Sequence, residues 1–495
     1  MLVQIWGPHP ASVLTGSDGR FEIDDVPEGP IVFALTKPGF FDPRNSAKHS
    51  DPGFTVGSGN NDFQLTLLPA GRLVGRVTDQ DGEAVEQAQL QILSEQIIQG
   101  RKQWQPQNSS NTDDDGSYRI DELVPGHYIL TAQRSELPGS GSSSQQEVTA
   151  PAYYPDAREL ASAQAIEIGP GQEFRADFHL HTERGFRITG HISGIPAGVG
   201  VALSIQTSTG QHVFLPGVNV DQSRGEFVVP AVPSGTWTLR FGVAGRDGRS
   251  YEARQEVAVT ANISDLRIAL HPGASIPLTI NRAANPVTTN RVSNMPESML
   301  EPTGPGINAS LLSADPLAPR SYRMESRGAP AALMFNNVAE GKYKLILESF
   351  ASVCVESARY GDVDLLRDYL IVGPDTGTQP LTINLGEDCA TLTAKVTPGE
   401  THAPVAFLVV VPNSPFAEPI IRPVGIESSL PIQAAAFLAA PLVLSPGTYQ
   451  VFAFSNPQGL EYANPEVLRE YPSQSITLDP GQKAEITIEV SEVKE

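Results

Sequence analysis

The chain has 495 residues, with 34 basic against 56 acidic side chains and a formal net charge of −22. At about 150 residues per domain, that length suits several cores. An acidic chain with no basic run argues against nucleic acid or an anionic membrane as partner, and no stretch reaches the roughly 18 apolar residues of a membrane-spanning helix. With 44 glycines and 42 prolines among 40% apolar residues, the composition predicts many short strands and little helix.

A pattern recurs along the chain: an aromatic or apolar residue, Val or Leu five positions on, Gly at eight and a large apolar residue at ten. It reads Phe21, Val26, Gly29, Ile31, then Tyr118, Leu123, Gly126, Tyr128, then Phe227, Val232, Gly235, Trp237. Weaker copies are Leu333, Val338, Gly341, Tyr343 and Ala439, Leu444, Gly447, Tyr449. The glycines fall roughly 100 residues apart, the size of one β-sandwich. In Val26-Pro27-Glu28-Gly29 and Val232-Pro233-Ser234-Gly235, the preset φ of proline and the closing glycine predict a type I turn. Val124-Pro125-Gly126-His127 shifts the glycine and suits type II. The residue two past each glycine is expected to point inward, which is why Tyr128, Trp237, Tyr343 and Tyr449 are large.

Other signals mark the ends of the units. Phe174, Ala176, Phe178 and Leu180 alternate with polar residues, as do Ala484, Ile486, Ile488 and Val490, each run following a Gly-rich turn. A new opening strand then begins at Leu73-Val74-Gly75-Arg76-Val77 or Ile188-Thr189-Gly190-His191-Ile192. The chain therefore divides into 1–70, 71–182, 183–272, 273–387 and 388–495, all-β units built as antiparallel sandwiches, the fourth with a long N-terminal loop. Joints of a few residues predict a semi-rigid string. Asp156 to Ala165 can make two helical turns and Pro465 to Tyr471 one, while Pro138 to Ser144 and Asn285 to Pro319 read as loops without a core.

The stretch Leu73 to Arg134 carries Gly75-Arg76-Val77-Thr78-Asp79, Asp81-Gly82, Asp115-Gly116-Ser117-Tyr118 and Val124-Pro125-Gly126-His127-Tyr128. It resembles a carboxypeptidase regulatory-like domain. Tyr462 to Val490 and Ser357 to Gly361 are similar to parts of acidobacterial proteins with such domains. The resemblance implies a tandem array of Ig-like or prealbumin-like sandwiches of the kind found in bacterial envelope proteins, with no catalytic residues in the module. Against that pattern the first unit starts late: its Val3-Gln4-Ile5 corresponds to Gln91-Ile92-Leu93, which about twenty residues precede in the second unit. A missing opening strand and an export signal upstream of Met1 are expected.

Asn111, Asp113, Asp115, Gly116 and Glu122 occupy positions 1, 3, 5, 6 and 12 of a calcium-loop template. The competing reading is an ordinary Asp-Gly hairpin turn. His179 and His181 share one strand face, with His191 expected across the following hairpin, a set that can bind zinc or copper or simply face solvent. Cys354 and Cys389 are the only cysteines, and in an oxidising compartment a bridge between them would contribute about 3–4 kcal/mol. Trp104, Tyr153 and Tyr154, placed in long loops, can stack on sugar rings or seal the sandwich ends.

The chain contains no HExxH, no Gly-x-Ser-x-Gly elbow and no phosphate-cradling Gly-x4-Gly-Lys-Ser/Thr. The expected function is a non-enzymatic binding protein of the periplasm, outer surface or medium that needs no cofactor. Its expected partner is carbohydrate or another envelope protein. The alternatives are a structural spacer or adhesion stalk, and a peptidase-associated accessory protein.

Overall fold

A computed structural model describes residues 1–6, 10–45, 54–56, 62–134, 147–207, 210, 212–213, 215, 217–282, 307–315, 320–327, 332–349, 353–386, 388–398, 405–414, 416–425 and 441–493. Strands dominate, arranged as tandem β-sandwiches. Five main apolar cores follow one another along the chain. They centre on Val3, Ile5 and Phe33; on Leu73, Leu90 and Phe178; on Ile188, Phe227 and Phe241; on Ile276, Leu311 and Phe335; and on Leu392, Leu408 and Val451.

The second unit shows the plan. Gly71–Asp79 alternates buried Leu73 and Val77 with more exposed neighbours, as a half-buried strand must. It pairs antiparallel with Ser117–Leu123. The facing sheet places Gly126–Arg134 beside Ala88–Ile98, and Ala88–Ile98 beside Arg101–Asn111. The closing strands Glu173–Arg175 and Phe178–Leu180 return to Gly71–Asp79 in parallel. The same first-to-last parallel pair recurs as Phe186–Ser193 with Ile263–Ala269, Ala274–Arg282 with Leu381–Gly386, and Ala390–Thr397 with Lys483–Glu489. The sandwiches are built of antiparallel pairs, as expected, and the closing pair of these units adds a parallel exception. A parallel pair needs a long crossover, and here the rest of the unit supplies it.

Glycine in the opening strand makes that closure possible. A Cβ on Gly75 would lie 1.8 Å from the Ala176 carbonyl oxygen, and one on Gly190 would lie 2.1 Å from that of Leu266.

The large residue of each repeat closes a corner. Trp237 Nε1 donates to the Pro233 carbonyl at 2.8 Å, Tyr343 Oη to that of Ala339 at 2.9 Å, and Tyr449 Oη to that of Ser445 at 2.6 Å. Tyr128 Oη donates likewise to the Val124 carbonyl. Each ring is buried and reaches four residues back, satisfying a carbonyl that the turn would leave unpaired. Burial pushes the Tyr128 hydroxyl up to about 12 and raises those of Tyr343 and Tyr449.

Two local expectations change. Ile307–Ser313, inside the supposed coreless stretch, is a strand paired with Gly341–Ser349, and Ile307, Ala309 and Leu311 are buried. The rest of Asn285 to Pro319, apart from Ala314 and Asp315, lies outside the described residues, as does Pro138 to Ser144. Asp156 to Ala165 contains only a 3-10 turn at Leu160–Ser162. Pro465–Leu468 is a short helix capped by the Asn464 side chain, which accepts from Glu466 N–H.

The joints carry specific contacts. Glu147–Thr149 pairs with Thr182–Arg184, and Val148 enters the core of the third unit. Arg320 meets Glu252 and Arg254 meets Asp315 between the third and fourth units, where Asn337 Oδ1 also accepts from Ser250 N–H at 3.2 Å. Lys344 meets Glu418 between the fourth and fifth, and Tyr369 packs edge-on against Phe416 with centroids 5.0 Å apart. The fifth unit also returns to the second, where Ala463 N–H donates to the Gly100 carbonyl at 3.1 Å. Beyond a semi-rigid string joined at neighbours, the contacts therefore include one between units distant in the chain.

Candidate functional site

The calcium-template residues do not converge. Asn111 ends a strand, and Asp113 and Gly116 close a turn through Gly116 N–H to Asp113 O at 2.9 Å and Asp113 N–H to Ser117 O at 2.8 Å. The Asp115 carboxylate accepts from the Ser117 N–H at 2.9 Å and from its hydroxyl, and these bonds hold its pKa below the ordinary value. Glu122 faces the other way, accepting from Gly39 N–H of the first unit at 3.4 Å. A strand advances about 3.3 Å per residue, so Ser117–Leu123 carries the twelfth-position carboxylate away, where an exiting helix would keep it close.

The histidines separate as well. His179 Nδ1 lies 2.8 Å from Thr78 Oγ1, and His181 Nε2 lies 3.6 Å from Asp156. His191 belongs to the next sandwich, with Nε2 3.7 Å from Asp265, so no hairpin joins it to His179. Among the described residues, no group of three or more His, Cys, Asp or Glu side chains comes together to hold a metal ion. The metal expectations for Asn111, Asp113, Asp115 and Glu122, and for the histidines, are corrected accordingly.

The aromatic residues cover the second sandwich. Tyr153 is 1% exposed and packs with Leu93 and Ile129, which leaves its ring no open face for a sugar. Trp104, in the strand Arg101–Asn111 rather than a loop, lies partly buried against the same cluster. Tyr154 stands edge-on to Phe174 and Phe178, at 5.9 and 6.0 Å between centroids.

Cys354 and Cys389 form a disulfide with Cα atoms 5.5 Å apart. Cys354 pairs in register with Gly386, at the end of the fourth unit's last strand, and Cys389 directly precedes the fifth unit's first strand Ala390–Thr397. The bridge therefore staples a joint. Ser445 of the fifth unit donates to the Val355 carbonyl beside it at 2.9 Å.

A cleft of about 390 Å³ opens between the second and third units. Gln89, Gln91 and Gln133 line one side, with Leu203, Ile205 and Leu215 on the other. Gln133 Nε2 donates to Gln89 Oε1 at 2.7 Å, while the buried Gln133 Oε1 has no hydrogen-bond partner among the described residues. The sequence signal was the alternation Gln89-Leu90-Gln91, which turns two amides onto one strand face.

These features define a tandem β-sandwich protein. Within it, residues 72–181 match the model of the carboxypeptidase regulatory-like domain, so the second unit is a member of that family. No curated protein matches in sequence. Among solved structures, the Bacillus anthracis TIE protein is 13% identical over 64% of this chain, with a TM-score of 0.15. The chain spans 51% of that protein, about half its length. A streptococcal ancillary pilin is 11% identical, covering 50% of this chain and 76% of its own, with a TM-score of 0.20. The major pilin subunit of Bacillus cereus is 11% identical, covering 64% of this chain and 100% of its own, with a TM-score of 0.16.

Proposed function

We propose that this protein is a non-enzymatic, extracytoplasmic scaffold whose sandwiches hold other envelope proteins at separations set by its joints. The observation that carries this reading is the make-up of the joints. One is stapled by the Cys354–Cys389 disulfide, and another buries Val148 of the second unit in the core of the third. A joint disulfide suits an oxidising compartment. A side chain of one unit buried in the next unit's core removes the freedom that a bare linker would leave between neighbours. Small-angle X-ray scattering of the full chain under oxidising and reducing conditions tests the reading. The oxidised protein is expected to give one narrow set of inter-unit distances that broadens on reduction. A broad distribution in both states would end it.

A second reading, carbohydrate binding, moves from the aromatic residues to the cleft. Its size falls in the range of ligand pockets, its lining is amide, hydroxyl and aliphatic apart from His212, and the Gln133 Oε1 acceptor has no donor among the described residues. A neutral hydroxylated ring supplies such a donor. Saturation-transfer NMR with neutral oligosaccharides is expected to show binding that Gln133→Leu abolishes. No transfer to the wild-type protein removes this reading and leaves the scaffold standing.

A further inference from the structure

The unit contacts form a cycle: second to third, third to fourth, fourth to fifth, and fifth back to second. The first three are also joined by the chain. The last is not, and it is made by the tip of the long hairpin Ala88–Ile98 and Arg101–Asn111.

At that tip Gln99 and Gly100 take left-handed backbone conformations, with φ of +50° and +71°. The Gly100 carbonyl accepts from Ala463 N–H, and a Cβ on Gly100 would lie 2.5 Å from the Tyr462 ring. Lys102 Nζ lies 3.5 Å from Glu461 and 3.6 Å from Glu95 of its own hairpin. The receiving surface is itself ordered. Asn464 Nδ2 donates to Glu461 at 3.2 Å, and Tyr462 packs on a second apolar cluster of the fifth unit formed by Phe452, Phe454, Leu460 and Leu468.

We propose that this finger-and-socket contact is a latch, closing units two to five into a ring and releasing them into an open string. The reason is the balance among the four contacts. Among the described residues the latch shows one backbone hydrogen bond, one ring face and an ion pair whose lysine is half exposed. Half-exposed pairs contribute little and are screened by salt. The other junctions add a disulfide, a valine buried in the neighbour's core or two ion pairs to chain continuity. The cycle opens where it is weakest, at the hairpin tip. The geometry of the latch does not depend on the scaffold reading. Its use, switching between two reaches, does.

Zero-length carbodiimide cross-linking and scattering of the full chain test the latch. Mass spectrometry is expected to find a Lys102–Glu461 linked peptide. Raising salt from about 0.01 M to about 1 M shrinks the Debye length from about 30 Å to about 3 Å and is expected to shift the population toward the open form. Lys102→Glu, which sets a like charge against both Glu461 and Glu95, is expected to lengthen the maximum dimension at low salt. The charge swap Lys102→Glu with Glu461→Lys is expected to recover part of the closed form, since Glu95 and Asn464 also face the swapped groups. Gly100→Trp opens it at any salt, and an unchanged far-ultraviolet circular dichroism spectrum shows that the units remain folded. The latch is overturned if the linked peptide does not form, or if Gly100→Trp leaves the scattering profile as in the wild type. Either failure leaves the redox dependence of the fourth–fifth joint, and so the scaffold reading, as measured.

Discussion

The second–third and fourth–fifth joints reach the same end by different chemistry. At the second–third joint, the strand Glu147–Thr149 pairs with the chain entering the third unit and sends Val148 into its core. Glu183 accepts from Ser234 N–H at 2.8 Å and also meets Arg158 at 3.0 Å, tying both units to one carboxylate. At the fourth–fifth joint a covalent bridge closes a separation of 35 residues, and the Tyr369–Phe416 ring contact adds to it. Short linkers alone would predict similar stiffness at both. The contacts show instead that one joint depends on packing and the other on oxidation, so each fails to a different insult.

The largest effect that separates them is loss of the bridge. Cys354→Ala with Cys389→Ala is expected to cost about 3–4 kcal/mol in calorimetry of the fourth and fifth units while leaving the second–third joint intact. Val148→Ala is expected to cost about 2 kcal/mol, measured by denaturant unfolding of the third unit. Equal protection of the third unit's amides in mutant and wild type would show that Val148 is not shared. Glu183→Ala removes the acceptor for the Ser234 turn, with an expected cost of about 1 kcal/mol in the same unfolding experiment.

The smallest effect is acid. Asp115, Asp221 and Asp247 are each held below the ordinary aspartate value of 3.8, chiefly by hydrogen bonds from Ser117, from Ser223 and Arg224, and from Arg249 and Tyr251. Their contribution is present above that value and lost as pH falls through the lowered ones. All three lie in the second and third units. Acid is therefore expected to lower the melting temperature of those units before it touches the disulfide joint, and a pH series of thermal melts checks the order.

The repeat was legible because a turn glycine followed by a large residue has a single job: Tyr128, Trp237, Tyr343 and Tyr449 all close the same corner. The bridge was legible because only two cysteines exist. The parallel first-to-last pairing was not, since alternation such as Phe174 to Leu180 is identical for either strand direction. Ile307–Ser313 was hidden by its Pro- and Asn-rich surroundings. Trp104 was misplaced because Gln103, Gln105, Gln107 and Asn108 give its strand no apolar alternation to read. The calcium template failed for a related reason: spacing along the chain fixes ligand positions only when the chain after the turn is helical.

One feature of the sandwiches bears on how such proteins lengthen. Because the first and last strands of the second to fifth units run side by side in the same direction, the polypeptide enters each of these modules at one pole and departs from the opposite pole. A duplicated copy can be spliced in at a joint without rerouting any neighbour, so gene duplication adds whole modules and the array grows by simple concatenation.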